Sequence, residues 1–424
     1  MNHDPNNVKN GDYRSAPDSV SGDGGKIKYQ TRCALLLVLA LLTFGGNLVW
    51  AFLDKAQPLW DSSRHFYIAL SYWNALDFNA ANWWLNILNV EPFYPPLYHL
   101  SLLPFFALFG LSVDTAVFVN SIYMFVIILS TYGIGTYLYD QRTGLLAAFI
   151  VSCYPILTYI SRMCMIDVML TAAVALAYYL FLKSEDFENR YYTVLFSLTF
   201  AAGLLVKWTF LIFILPILIM GLWGSKSMSL KKRSIQFTYY LGMIVALIIF
   251  PFFIFLLGEG KWLFLALELT LVAFLVKSFP SASLSRQKVT NLIMMTGVCL
   301  LICFPWYGYH LVDVAKGAVA ASLSGIRSGH STTFGVDRWL NYARLLDADA
   351  SLLFFILFVV ALVASLVFRK NFRSVLFWWI IGSYVILTLL SNRQTRYIMP
   401  VLPAMAIVSS VFICQIGKSS IRRM

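Results

Sequence analysis

Two acids and a few bases interrupt an otherwise apolar chain, and their types suit group transfer at a phosphate. Asp61 lies in "LWDSSRHFYIAL" (59–70), with Arg64 and His65 after it. Asp61 and His65, at i and i+4, share one face of a helix. Asp167 closes "YISRMCMID" (159–167), which also holds Arg162. Lys207 breaks the apolar stretch 191–223 at "VKWTF", and Arg396 and Tyr397 end "SNRQTRY" (391–397). A carboxylate takes a proton from an attacking hydroxyl, and cations stabilise a phosphate as it gains charge. Each residue has a plainer reading as well. Asp167 suits a helix N-terminus, Lys207 can snorkel from a hairpin tip, and arginines at a bilayer surface meet lipid headgroups. Lone histidines such as His65, His99, His310 and His330 are more often structural than catalytic.

The elements that must position these residues are apolar helices. The chain has 424 residues, is 59% hydrophobic and 12% charged, and has mean hydropathy +0.73. Soluble proteins are about 25% charged. Long continuous apolar runs, rather than short alternating ones, predict an all-α polytopic membrane protein and not a barrel. Candidate spans are 33–53, 114–138, 143–160, 168–183, 191–206, 208–223, 237–257, 262–277, 291–309, 351–368, 375–391 and 397–416, a bundle of about 12 transmembrane helices. The run 97–110, "LYHLSLLPFFALFG", begins after Pro95-Pro96, contains Pro104 and is short of a bilayer. It is expected to be interfacial or re-entrant, like the amphipathic "DFNAANWWLNIL", whose Trp83 and Trp84 would anchor at headgroups. Glu268 falls inside a candidate span.

Sidedness follows from the bases. Lys26, Lys28 and Arg32 end a polar, disordered tail (1–32), and bases recur at Arg142, Lys183, Lys231–Arg233, Lys277, Arg369–Arg373 and Arg422–Arg423. These mark the cytoplasmic side, with both termini on it. The formal charge of +12 is therefore topological and does not indicate nucleic acid. Asp61, Asp167, Lys207 and Arg396 then share the extracytoplasmic side. The expected organisation is a tail (1–32), a catalytic module (33–223) with a first outer loop (54–113), a second transmembrane module (224–416) with an outer loop (310–350), and a short tail (417–424). Six scattered cysteines show no metal spacing.

The motifs "LWDSSRHFYIAL", "FYPPLYHL", "YISRMCMIDVML", "AAGLLVKWTFLIFILP" and "RQTRYIMPVLPAM" resemble those of the GT-C glycosyltransferases that use polyprenyl-phosphate-linked sugars, among them the protein O-mannosyltransferases and lipid A aminoarabinose transferases. The resemblance covers roughly 33–220 and the C-terminal "RYIMPVLP". It implies a GT-C-like bundle and transfer of a sugar from a polyprenyl phosphate to a protein, lipid or glycan hydroxyl outside the cytoplasm. By the resemblance Asp61 matches the first-loop catalytic or metal-associated acid and Asp167 the second acid; a single displacement with Asp61 as general base would then invert the anomeric centre. Arg162, Lys207, Arg396 and Tyr397 would hold the donor phosphate, with Arg64, His65, Tyr94 and His99 supporting the first loop. No cofactor is certain, although a divalent cation could bind Asp61 and Asp167. Relatives often carry Asp-Glu where this chain has Asp61-Ser62, which puts that metal in doubt. The rival reading is a multi-span transporter or lipid flippase.

Overall fold

The computed structural model describes residues 28–77, 81–222, 286–327, 336–368, 374–390 and 392–421. Candidate spans 237–257 and 262–277, Glu268, His330 and residues 1–27 of the tail lie outside the described residues. Every described element is helical: α1 (Tyr29–Leu53), α2 (Trp60–Ala75), α3 (Trp83–Leu88), α4 (Leu97–Phe109), α5 (Val113–Leu138), α6 (Gln141–Ser152), α7 (Pro155–Ser161), α8 (Ile166–Lys183), α9 (Arg190–Val206), α10 (Phe210–Leu222), α11 (Arg286–Arg327), α12 (Val336–Asp349), α13 (Leu352–Phe368), α14 (Ser374–Phe377) continuing through a π turn (Trp378–Gly382) into α15 (Ser383–Leu389), a 3-10 turn (Thr395–Val401) and α16 (Leu402–Ile421).

Short polar residues start the long helices. Ser112 Oγ accepts from Thr115 N–H (3.2 Å) at α5, Asp140 Oδ1 from Thr143 N–H (2.8 Å) at α6, and Asn189 Oδ1 from Tyr192 N–H (3.3 Å) at α9. Each satisfies an N–H that the helix itself leaves unpaired. Proline divides other segments. Pro155, with no N–H to give, opens α7 and bends it 58° from α6, so the expected span 143–160 is a broken one.

The expected count of about 12 spans is not what the described residues show. Five helices are long and apolar enough to cross a membrane, or six if the bent α6–α7 pair is one span. Two of the expected spans, 237–257 and 262–277, fall outside the described residues, and the rest of the difference is one of length. The 17 residues of α9 or α13 and the 13 of α10 rise only about 20–26 Å at ~1.5 Å each, against a ~30 Å hydrocarbon core. The segment 375–391 is interrupted by its π turn, where the Trp379 ring stacks on Tyr178 at 3.7 Å and its indole N–H reaches the Pro400 carbonyl at 3.1 Å. The described parts of the segment 310–350 are helical up to Asp349. The helix expected to end near 309 runs on to Arg327, and α12 follows.

α5 sits at the centre, packed on α6 and α8. α9 lies between α8 and α11, α16 packs on α6 and α13, and α1 covers α5. A second apolar cluster lies between α2 and α4, built from Ile68, Tyr72, Tyr98, Leu102 and Phe106, and it reaches Cys164 and Ile166 just before α8. This cluster docks the first-loop helices against the end of α8 where Asp167 stands. The faces of α1 and α13 carrying Leu41, Leu42, Phe52, Leu353 and Val367 remain exposed, as expected of surfaces in lipid.

The α5–α6 contact depends on missing side chains. A Cβ added to Gly144 would lie 2.6 Å from the Tyr132 carbonyl oxygen, and one on Gly135 would lie 2.8 Å from the Gly144 Cα. Small residues of this kind let helix backbones meet in membranes. Gly144→Val should therefore separate the pair and cost about 1–3 kcal/mol or more. Thermal unfolding in detergent would report this as a lowered midpoint, and a midpoint equal to that of the wild type would refute the contact.

Candidate active site

Four separate pieces of chain deliver the charged residues. Asp61 lies in the first turn of α2, directly after Trp60, whose backbone takes φ +57°. That left-handed conformation is costly for a bulky residue, of order 1–3 kcal/mol. Asp167 lies in the first turn of α8. Lys207 caps the C-terminus of α9 in extended conformation, so the apolar run breaks at the lysine and resumes in α10. Arg396 and Tyr397 lie in the 3-10 turn before α16.

Buried polar contacts hold the strand before α8 in place. Asn120 of α5 donates through Nδ2 to the Met163 carbonyl (2.6 Å), and Cys164 N–H donates to Ser62 Oγ (3.1 Å). The residue after Asp61 therefore ties α2 to the turn that presents Asp167. Glu91 accepts the N–H groups of Phe93 (3.0 Å) and Tyr94 (3.3 Å), which sets the "EPFYPP" bend. The sequence reading did not select Ser62, Asn120 or Glu91. A polar residue amid apolar helix neighbours was the available signal for Asn120.

The four charges form one chain of ion pairs. Lys207 Nζ is 2.9 Å from Asp167 Oδ1, Arg396 Nε is 3.9 Å from Asp167 Oδ2, and an Arg396 Nη2 donor pairs with Asp61 Oδ2. Asp167 is buried, Lys207 and Arg396 nearly so, and the Asp61 side chain is 40% exposed. Two carboxylates and two cations balance. Tyr397 lies under both cations, its ring centroid 5.0 Å from Lys207 Nζ and 5.7 Å from the Arg396 guanidinium carbon. Burial alone would push the Lys207 ammonium down, but Asp167 beside it outweighs this and the pKa is raised above the ordinary 10.5.

These residues face a cavity of about 840 Å³, open to solvent. Its lining combines the polar Asp61, Asp167, Lys207, Arg396, His65 and Tyr94 with the apolar Leu170, Ile212, Phe213, Leu387 and Leu390. Phe93, Trp208, Thr209 and Asn392 also line it. Those four were not foreseen, because an aromatic or amide in a loop looks the same whether or not it faces a cavity. Burial pushes the Tyr94 hydroxyl up and both the His65 and His99 imidazoles down.

Three expected participants, Arg162, Arg64 and His99, lie outside the cavity wall, His99 buried behind His65. Arg162 donates through Nε to Asn47 Oδ1 of α1 (3.3 Å) and stacks over Trp50 at 4.9 Å. Asn47, almost fully buried, also donates to Ser121 (3.0 Å) and Ser161 (3.1 Å). Arg162 therefore fastens the α7–α8 turn to α1. Arg64 stands over the Tyr94 ring at 5.0 Å and 3.9 Å from Glu91, as a support for the first loop.

The acids do not fit a divalent cation. Arg396 lies between them and already pairs with both, and Lys207 takes a second oxygen of Asp167. Among the described residues no group of three or more His, Cys, Asp or Glu side chains could hold a metal. Calcium and magnesium want several free oxygen ligands.

Residues 94–255 match the family profile of dolichyl-phosphate-mannose-protein mannosyltransferase. A sequence search of curated proteins finds no match. Three solved structures share the fold. ArnT from Cupriavidus metallidurans bound to undecaprenyl phosphate aligns with TM-score 0.56 at 16% identity, over 91% of this chain and 60% of that one. The archaeal oligosaccharyltransferase AglB from Archaeoglobus fulgidus, in complex with an inhibitory peptide and a dolichol-phosphate, aligns with TM-score 0.52 at 16% identity, over 91% and 50%. The apo form of the Archaeoglobus fulgidus oligosaccharyltransferase aligns with TM-score 0.53 at 15% identity, over 93% and 52%. The chain thus spans about 60% of the length of the first structure and about half of the others.

The buried pair makes a stability prediction. Lys207→Met strands Asp167 beside Arg396 alone, a loss of about 3–5 kcal/mol by the usual cost of breaking a buried pair. Adding Asp167→Asn should recover part of it, which a double-mutant cycle in thermal unfolding would read as coupling. The sign with pH follows from the raised lysine pKa. The lysine's share of that stability is complete at neutral pH and is lost as the pH climbs through a folded-state value above 10.5. Additive single and double variants would show that the pair contributes nothing.

Proposed function

We propose that this protein is an integral-membrane glycosyltransferase that moves a sugar from a polyprenyl phosphate to an acceptor hydroxyl. The active site faces the extracytoplasmic side and both termini face the cytoplasm. The observation that carries this reading is the balanced set Asp61–Arg396–Asp167–Lys207 on the wall of a cavity that is also lined by apolar residues such as Leu170, Phe213 and Leu390. Such a cavity suits a ligand with an anionic head and a hydrocarbon tail. The GT-C fold and the mannosyltransferase profile over 94–255 agree with it.

In the free protein each cation rests on a carboxylate. A lipid phosphate offers Lys207 and Arg396 a second anion, with Asp167 behind them as a buried anchor. The guanidinium fork can serve phosphate and carboxylate together. As Arg396 turns to the phosphate, the half-exposed Asp61 becomes free to accept a proton. The acceptor oxygen then attacks the anomeric carbon on the face opposite the phosphate. The new C–O bond forms, the bond to the phosphate oxygen breaks, and the phosphate leaves with the electron pair. The acceptor proton passes to Asp61, and this single displacement inverts the anomeric centre. Aspartate is a weak base toward an alcohol, so proton transfer comes late, when the forming bond has acidified the hydroxyl. Lys207 and Arg396 stabilise the phosphate as its charge grows.

Asp61→Asn should lower transfer by about 10²–10⁴, the range of a lost general base. It should leave polyprenyl phosphate binding intact or tighter, because Arg396 is released. Arg396→Gln should instead weaken lipid-phosphate binding. Purified protein, a radiolabelled polyprenyl-phosphate sugar and a binding assay with the bare lipid phosphate separate the two effects. Wild-type turnover in Asp61→Asn would remove Asp61 as the base.

A further inference from the structure

Behind the charged wall lies a pair of buried histidines that the transfer step above does not use. His65 of α2 and His99 of α4 touch through His65 Nδ1 and His99 Nε2, 3.1 Å apart. Both are almost fully buried, and His65 lines the cavity. Aromatic rings enclose them: Tyr72 stacks on His99 at 5.9 Å, Tyr98 meets it edge-on at 5.5 Å, and Tyr94 meets His65 edge-on at 4.8 Å. Burial holds both rings neutral, and the nearby Lys207 and Arg396 reinforce this for His65. One proton is therefore shared across the 3.1 Å contact.

Which ring carries it follows from the fourth nitrogen. His99 Nδ1 is buried and has no hydrogen-bond partner among the described residues. If His65 donated through Nδ1, the neutral His99 ring would accept at Nε2 and keep its own proton on Nδ1, as an N–H buried without an acceptor. Orphaned buried N–H groups are rare, and bare acceptors less so. The arrangement that avoids it has His99 Nε2–H donating to His65 Nδ1. His65 must then carry its proton on Nε2, because in a neutral imidazole one nitrogen donates and the other accepts. We propose that His99 fixes His65 in the Nε2–H tautomer, making His65 an uncharged donor on the cavity wall that binds a hydroxyl of the sugar on the lipid phosphate. His99 is then a positioning residue. The cations already serve the phosphate, and a neutral N–H beside them adds no charge to a balanced site, so an uncharged sugar oxygen is its natural partner.

This inference rests on the proposed transferase reading, and its test separates the two. In full-length protein labelled with ¹⁵N-histidine, two-bond correlations from the ring carbons' protons report which nitrogen is protonated, without any substrate. His65 is expected to show a protonated Nε2 and a bare Nδ1 at neutral pH. His99→Phe should convert it to a mixture of tautomers. A proton on His65 Nδ1, or a cationic ring, would overturn the proposal. Binding then tests the sugar contact. His65→Phe should weaken a polyprenyl-phosphate sugar about tenfold, equivalent to ~1.4 kcal/mol, and leave the bare polyprenyl phosphate unchanged, with His65→Gln restoring part of the loss. Equal weakening of both ligands, or of neither, would refute a sugar contact. A wild-type protein that binds neither lipid would sink the transferase reading while leaving the tautomer result standing.

Discussion

The site depends on one buried carboxylate. Asp167 is almost fully enclosed and meets both Lys207 and Arg396. An unpaired charge in that position would be severely costly, so the end of α9 and the turn before α16 must both come to α8. Arg396 in turn reaches Asp61 on α2. Parts of the chain from 61 to 396 are thereby joined around one carboxyl group, and the cavity is the space left between them.

Neutral polar contacts secure the same junction from behind. Asn120 and Ser62 grip the strand before α8, while Asn47 and Arg162 grip the turn before it from α1. These bonds lie among apolar helices where little water competes, so each of them specifies geometry. The aromatic layer of Tyr72, Tyr94 and Tyr98 does the equivalent for the two histidines. The arrangement leaves only Asp61 substantially exposed among the four charges, the placement that the proposed role of general base requires.

Much of the site was legible as violated expectation. Acids and bases in an apolar chain are expensive, so Asp61, Asp167, Lys207 and Arg396 stood out by type, and all four line one cavity. Arg162 stood out in the same way and yet lies against Asn47 and Trp50. A cation's sequence neighbours do not say which way its side chain leaves the turn. The span count was less legible. Apolar runs of 13–17 residues satisfy hydropathy as spans, but the π turn at Trp378 and the continuation of α11 through 310–327 are set by packing partners.

Composition and order along the chain were enough to establish a helical, multi-span membrane protein with its chemistry gathered in a few polar interruptions, because the cost of burying charge and unpaired backbone acts locally on each segment. Folding alone settled which interruption meets which: that Arg396 stands between the two acids, that Arg162 turns away, and that His65 and His99 meet at 3.1 Å. Those pairings join residues tens to hundreds of positions apart, and their energies depend on distance and burial, neither of which is a property of any short stretch of sequence.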